Sequence, residues 1–591
     1  MKTKALIVMT IISAVFASAC KKFIDQPLKG SLEGQFLGTK EGVRDLLIGT
    51  YAVLDGQQGG DAAIGGGGAW EASPDNWIYG GIAGGDANKG SDPGDQTPIE
   101  SISRFTTDPT NGFLNSKWKA DYEGISRANT VLRTVTLVKN YTEDELNNII
   151  GQTRFLRAHY YFDLKKMFDK VPYIDENTTD FNQPNNTDIW PQIEADFKFA
   201  YENLPGSQED AGRANKWAAG VYLAKTYLYE HKFEQARDLF EVVIAQGTTA
   251  NGQHYALNER FEDNFRAATN NSAESVFAVQ AAANADPGGI SNANNGDMLN
   301  FPYGEGSPFG CCGFYQPSID LVNHFRTNPT TGLPYLDDYN SHAIKTDMKL
   351  KSSQDFTPDE GTIDPRLDWT AGRRGIPYLD WGIHPGNDWV RNQPYAGPYS
   401  PIKMVYGQAT QDTEGDGHSW APGSGINNNI IRFSDVLLMD AEAQAQTGGL
   451  ARAMELVNMV RKRAANPDGW VHTYKDPSKP TGGFTNTPAA NYKIGLYTMA
   501  SFSSKEDALK AIYFERKIEL ALEGHRFFDL VRWGIAEKEL NTYFAYQGQL
   551  TTDVRNGHFT ADKNEYYPIP QRQIDLSAAG GTSKLSQNKG Y

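Results

Sequence analysis

Apolar residues recur at helical spacing along most of this chain, and the pattern breaks down over two long stretches. Val43, Leu46, Leu47 and Tyr51 fall on one face of a helix running from Thr39 to Leu54. The same spacing predicts helices over 115–138 and 142–168, and another that Asp188 opens and Leu204-Pro205 closes. Lys165, Lys166 and Lys170 gather ahead of Pro172, where the negative end of a helix dipole favours cations. Helix pairs are predicted over 213–246 and 430–465. Periodicity fails at 55–112, which is rich in Gly, Asp and Asn, and again at 270–425, which is dense in Gly, Pro, Asn and Trp. The second stretch is too long for a structureless loop in a compact domain. It is expected to form a lobe packed on the helices, with short strands such as Ser275–Gln280. Pro568 and Pro570 mark 566–591 as a docked tail.

The helix pairs carry a recurring spacing. In the first, Ala224, Tyr227, Ala236 and Phe240 follow the small–aromatic–small–aromatic order of a tetratricopeptide repeat. Short side chains are needed where two antiparallel helices cross closely. Ala441 and Ala453 keep the offset in the second pair, with Gln444 in the aromatic position, and Ala158 with Tyr161 reproduces the first half. The expected fold is therefore mainly α, with tetratricopeptide-like helix hairpins forming a superhelical scaffold and a loop-rich lobe carrying short strands. The expected segments are 1–19 (signal), 20–39 (extended leader), 40–269 (N-terminal helical region with a loop insert at 55–112), 270–425 (ligand-binding lobe) and 426–591 (C-terminal helical region and tail).

The N-terminus bears on location. Lys2 and Lys4 precede an apolar run from Ala5 to Phe16, about a dozen residues, the length of a signal-peptide core and too short to span a bilayer. Ala17-Ser18-Ala19-Cys20 resembles a lipobox, which implies cleavage before Cys20 and lipid on its sulfur. At about 0.8 kcal/mol per buried methylene, several acyl chains anchor a protein firmly. No later run approaches the length of a spanning helix.

Composition narrows the partners. The net charge is −16 and becomes −18 once Lys2 and Lys4 leave, which argues against nucleic acid or anionic lipid as ligands. Of three Cys, Cys20 is the lipidation candidate, and the neighbours Cys311 and Cys312 are either reduced or joined to each other, so no disulfide framework supports the fold. No zinc-spaced Cys/His pattern occurs, and H-E-x-x-H, G-x-S-x-G and P-loop motifs are absent. Asp412-Thr413-Glu414-Gly415-Asp416-Gly417 looks like the start of an EF-hand loop, but Gly423 stands where the bidentate Glu belongs. That loop and Asp86–Asp95 read as turn-forming and solvated. No cofactor is expected, with calcium left as the one open alternative.

Aromatic residues make up 12% of the chain, and many lie in the Gly-rich stretches. A neutral glycan presents hydroxyls and apolar C–H faces, so its binder needs flat rings beside a few fixed polar groups. The first candidate cluster is Trp70, Asp75, Asn76, Trp77 and Tyr79, in which the acid and amide would meet vicinal hydroxyls. The second is Arg373, Trp381, Trp389, Arg391, Tyr395, Tyr399 and Trp420, mixing Trp with Arg as binding hot spots do. Phe314 and Tyr315, beyond the Cys pair, form a weaker third group.

Several separated stretches then point to one family. Cys20-Lys21-Lys22-Phe23-Ile24-Asp25 with Pro27, Arg154-Phe155-Leu156-Arg157-Ala158-His159-Tyr160-Tyr161, Arg213-Ala214-Asn215-Lys216, Ile431-Arg432-Phe433-Ser434-Asp435-Val436-Leu437-Leu438, Glu523-Gly524-His525-Arg526-Phe527-Phe528-Asp529-Leu530 and Tyr567-Pro568-Ile569-Pro570 occur in order over nearly the whole chain. Together they resemble the SusD/RagB family of Bacteroidetes surface lipoproteins. The resemblance implies a non-catalytic, lipid-anchored lid on a SusC-like TonB-dependent outer-membrane transporter, facing the cell exterior and capturing oligosaccharide. A peptide-capturing relative is the alternative, and a surface glycoside hydrolase a more distant one. It also implies that Arg516, Glu519 and Arg526 are scaffold residues that join helices through ion pairs.

Overall fold

The computed structural model describes residues 37–56, 68–285, 292–578 and 580–591. The signal, Cys20 and the leader as far as residue 36 lie outside the described residues. Helices begin where the sequence supplies caps. Thr39 accepts a hydrogen bond from the Gly42 amide at the start of α1 (Lys40–Tyr51). α2 is Thr97–Ser103 and α3 is Gly112–Val135. Thr142 and Glu145 form a reciprocal capping box at the head of α4 (Glu143–Phe168). Next come α5 (Trp190–Asn203), α6 (Lys216–Tyr229) and α7 (Phe233–Gln246). Beyond the lobe follow α8 (Phe433–Gln446), α9 (Leu450–Ala464), α10 (Lys505–Glu519), α11 (Arg526–Arg532) and α12 (Ala536–Leu550).

Each helix from α3 to α7 packs on the next. The stack then continues across the lobe, because α7 packs on α8, and α8 on α9 and α10. Ala224, Ala236, Phe240, Ala441 and Ala453 are fully buried at these crossings, so the small residues sit where the repeat spacing placed them. The predicted 142–168 helix matches α4 to within a residue, and the pairs at 213–246 and 430–465 are α6–α7 and α8–α9.

Five short two-stranded antiparallel sheets tie the irregular regions down. Two of them decide the architecture. The strand β1 (Ala87–Gly90) pairs with β3 (Phe314–Pro317), joining the first irregular stretch to the lobe. The strand β2 (Ser275–Val279) pairs with β4 (Asn428–Arg432), so the chain enters and leaves the lobe side by side, at a neck. One hydrophobic core runs through helices and lobe alike, from Val43 to Ile569. A smaller core within the lobe gathers Phe301, Phe309, Tyr378, Leu379, Trp389, Ile402 and Val405.

The charged residues of the family-like stretches are structural. Glu519 receives Arg366, Arg432 and Arg463, and Arg432 also reaches Glu274 and Glu523. Arg516 bridges Asp435 and Asp529, while Arg526 meets Glu539 more loosely at 3.7 Å. The tail docks on the end of α4: the Tyr567 amide donates to the Met167 carbonyl at 2.8 Å and the Asn588 amide to that of Phe168 at 2.9 Å. Among the described residues no helix is long and apolar enough to cross a membrane.

Candidate ligand-binding site

The first aromatic cluster unfolds into two faces of one short segment. Ala69–Ala72 makes a single 3-10 turn, anchored where Glu71 accepts from the Gly68 amide (3.1 Å) and from Ser116 on α3 (2.7 Å). The chain then reverses through Asn76, in the left-handed region at φ 53°, into a π-helical turn over Trp77–Ile82. This reversal sends the rings inward. Trp77 is fully buried; its indole N–H donates to the Gly296 carbonyl at 3.0 Å and its ring packs on Tyr315 at 5.4 Å. The Tyr79 hydroxyl donates to the Glu71 carbonyl at 2.7 Å, and the Asn76 amide to Asp163 at 3.0 Å. The family-like Gly524 explains the tight fit: at φ 70°, a Cβ there would lie 1.6 Å from the Asp75 carbonyl oxygen.

The second cluster is mostly interior as well. Arg373 is buried against Asp368 in a two-pronged ion pair, with bonds of 2.6 and 3.0 Å. The indole of Trp389 donates to the Gly306 carbonyl (2.8 Å) and that of Trp381 to the Tyr406 carbonyl (2.8 Å). Tyr395 is buried and donates to Glu100 at 3.0 Å. Tyr399 is also buried. Arg391 reaches the surface but is held by Asp92 at 2.6 Å and Asp95 at 2.8 Å. Tyr315, on β3, is fully enclosed.

These placements correct the expectation for Asn76, Trp77, Tyr79, Tyr315, Arg373, Trp389 and Tyr395. Their flat faces are turned inside: Trp77, Trp389 and Tyr79 donate to carbonyls that irregular backbone leaves unpaired, whereas Asn76, Arg373 and Tyr395 are held by the carboxylates of Asp163, Asp368 and Glu100. Asp75 faces inward too. Its carboxylate accepts from the Ser73 hydroxyl (2.7 Å) and the Trp77 amide (3.2 Å), and it meets the carboxyl of Asp297. Trp381 is half-buried. Cys311 and Cys312 are joined in a disulfide.

Two candidates remain available. Trp420 is 69% exposed, and its ring stands edge-on to that of Trp70 with centroids 6.0 Å apart. Trp70 is half-buried: its indole N–H is enclosed, with no hydrogen-bond partner among the described residues, and only part of its ring reaches the surface. A cavity of about 240 Å³ opens between α1 and the lobe's neck, lined by neither indole but by Pro74 of the Trp70 segment and by Asn295, which is bonded to the Trp420 loop. Ile48 and Tyr51 of α1 line one side, Pro74 another, and Gln280, Asn428 and the run Asn292–Gly296 supply amides and backbone; among the described residues Asp55 is its one acid. Asn295 ties this wall to the Trp420 loop, accepting from Ser419 at 2.8 Å, and the Asn294 amide donates to the Ser424 carbonyl at 2.7 Å. The amide wall was missed in the sequence, although the Asn clusters at 292–295 and 427–429 were its visible signal.

Elsewhere, a larger groove of about 770 Å³ runs between α3 and the tail, with exposed Phe181 and Leu576 among its lining residues. Asp412, Glu414 and Asp416 do not converge; Asp416 accepts from the Asn284 amide and from Ser419 instead. No group of three or more metal-ligating side chains occurs among the described residues.

Comparison with known proteins gives a consistent picture. A sequence model described as the SusD family matches residues 273–591, and one described as starch-binding, associating with the outer membrane, matches 97–228. SusD-like protein P2 of Formosa agariphila is 24% identical over 85% of each chain, and a SusD-like protein of Bacteroides ovatus is 23% identical over 98% of this chain and 94% of its own. Among solved structures, a SusD superfamily protein of Bacteroides vulgatus superposes with a TM-score of 0.66 at 21% identity, over 93% of this chain and 98% of its own. A laminarin binding SusD-like protein gives 0.61 at 24%, over 94% and 100%. Surface glycan-binding protein A of Bacteroides thetaiotaomicron, in complex with laminarihexaose, gives 0.61 at 19%, over 93% and 99%. At these identities the structural matches show a shared fold.

Proposed function

The chain belongs to the SusD family, and on that premise we propose that it is a non-catalytic surface protein that captures oligosaccharide on Trp70 and Trp420. One observation carries the reading: an exposed indole set edge-on to a second, on segments that join a cavity walled by neutral amides. A sugar ring offers C–H faces to the indoles and hydroxyls to the amides. Among the described residues that lining holds a single acid, Asp55, where glycoside hydrolysis requires a carboxyl pair. Anchoring through lipid on Cys20, exposure to the cell exterior and delivery to a SusC-like TonB-dependent transporter complete the proposal; the Ala17-Ser18-Ala19-Cys20 stretch and the outer-membrane description of the matched family support it.

The names of the neighbours make laminarihexaose, with a starch hexasaccharide beside it, the first ligands to try. Calorimetry on the full chain in detergent is expected to show binding without turnover, with Trp420→Ala weakening affinity by about tenfold or more. An unchanged affinity in Trp420→Ala would remove the site. Loss on Phe181→Ala instead would move it to the larger groove. Binding of extended peptides in place of any oligosaccharide would replace the ligand class.

A further inference from the structure

Asp75, on the Trp70 segment, and Asp297, at the end of the Asn292–Gly296 wall, line one small cavity and meet through their carboxyls. Neither has an ion-pair partner within 4 Å among the described residues: Lys117 on α3 is committed to Asp163, and Lys403 across the small cavity between them is committed to Glu523. Tyr315, the other titratable group facing the pair, is neutral and enclosed. The remaining partners are dipoles. Asp75 accepts from Ser73 and from the Trp77 amide, while Asp297 accepts from the side chains of Asn294 (2.7 Å) and Asn300 (3.3 Å). Two touching carboxyls without a cation cannot both be ionised, so one must hold a proton and donate it to the other.

Their placement makes that proton consequential. Asp297 follows directly on the wall Asn292–Gly296. That wall is bonded to the Trp70 segment through the Trp77 indole and Gly296, where even a Cβ would come 2.3 Å from the Ser73 hydroxyl. It is bonded to the Trp420 loop through Ser419 and Ser424. We propose that Asp75 and Asp297 share one proton, and that this proton latches the Asn292–Gly296 wall between Trp70 and Trp420. The pair are positioning residues: they touch no ligand and set the spacing of the indoles. The functional consequence rests on the glycan reading above, but the latch itself is testable without any glycan.

The sign follows from the surroundings. Burial raises both carboxyls above the ordinary carboxylate range, and the neighbouring Asp75 charge raises Asp297 further. The proton is therefore held in acid and leaves as the pH climbs. The wall is latched at low pH and released at high pH.

Hydrogen exchange of the full chain in detergent reads this directly, once base-catalysed exchange is corrected and the α6–α7 hairpin serves as reference. In the wild type, protection over 292–300 and 415–424 is expected to fall by about tenfold between pH 6 and about 9.5, in step with greater quenching of Trp420. Asp297→Asn donates from its amide without titrating, and should stay protected throughout; Asp75→Asn is the second variant if the first folds poorly. Asp297→Ala should be unprotected at every pH. A wild-type profile that tracks the hairpin overturns the latch, as does an Asn variant that repeats the wild-type profile. Glycan binding that fails while the latch passes counts against the proposed function alone.

Discussion

Around α10 charged side chains converge in the interior, whereas in the irregular regions buried indoles donate to main-chain carbonyls. Arg366, Arg432 and Arg463 converge on Glu519, and Arg461 pairs with Glu515, all fully or nearly enclosed. In the irregular regions, by contrast, Trp77, Trp381 and Trp389 each aim an indole N–H at a carbonyl far away in sequence, and Trp369 does the same to Gly469. Helices satisfy their own backbone, so helix–helix contacts are free to be fixed by side-chain charge. Loops leave carbonyls that must find donors when buried. A loop tryptophan whose indole reaches a remote carbonyl is thus a staple. One whose ring is exposed, as that of Trp420 is, is available to a ligand.

The largest test of this contrast is Arg432→Met. It leaves Glu274, Glu519 and Glu523 short of a cation in the interior, and a loss of about 3–5 kcal/mol is expected in denaturant unfolding; an unchanged midpoint would show that the network is dispensable. Trp77→Ala should cost about as much, roughly 3–5 kcal/mol, through the cavity and the orphaned Gly296 carbonyl. A mild effect there, with lost glycan binding, would return Trp77 to the binding site. Acid should weaken the helical body next. Burial lowers His525 to about 4 and His159 to about 3. Between the unfolded value near 6.5 and these folded values the unfolded chain binds more protons, so stability falls as pH drops through that window. His525 alone accounts for about 3 kcal/mol by pH 4, and arginine-depressed Glu519 and Glu523 act in the same direction below their ordinary range. The melting temperature from pH 7 to pH 4 checks this, and His525→Phe should flatten part of the slope. Smallest on stability is Trp420→Ala, expected within about 0.5 kcal/mol. A large loss there would make Trp420 a staple as well.

The scaffold was legible because its signals are local. The apolar periodicity of 142–168 and the alanine offsets of the hairpins act within a few turns, and the structure places them as spacing alone dictates. The site was less legible. Trp70 and Trp77 sit seven residues apart in one Gly-rich stretch, and nothing in their immediate sequence distinguishes the half-buried ring from the fully buried one. What separates them is the reversal at Asn76, which needs the backbone of Gly524 pressed against Asp75 from the far end of the chain. The amide wall is similar: Asn292–Asn295 become a surface only where β2 and β4 close the neck of the lobe.

The sequence by itself determined the helical periodicity, the hairpin crossings, the acidic balance and the family-like stretches, since each depends on residue type at short separation. Only the tertiary structure decided which aromatic rings face solvent and which acids share a proton. Those outcomes depend on what the rest of the chain brings against each side chain, and burial is a property of the assembled fold.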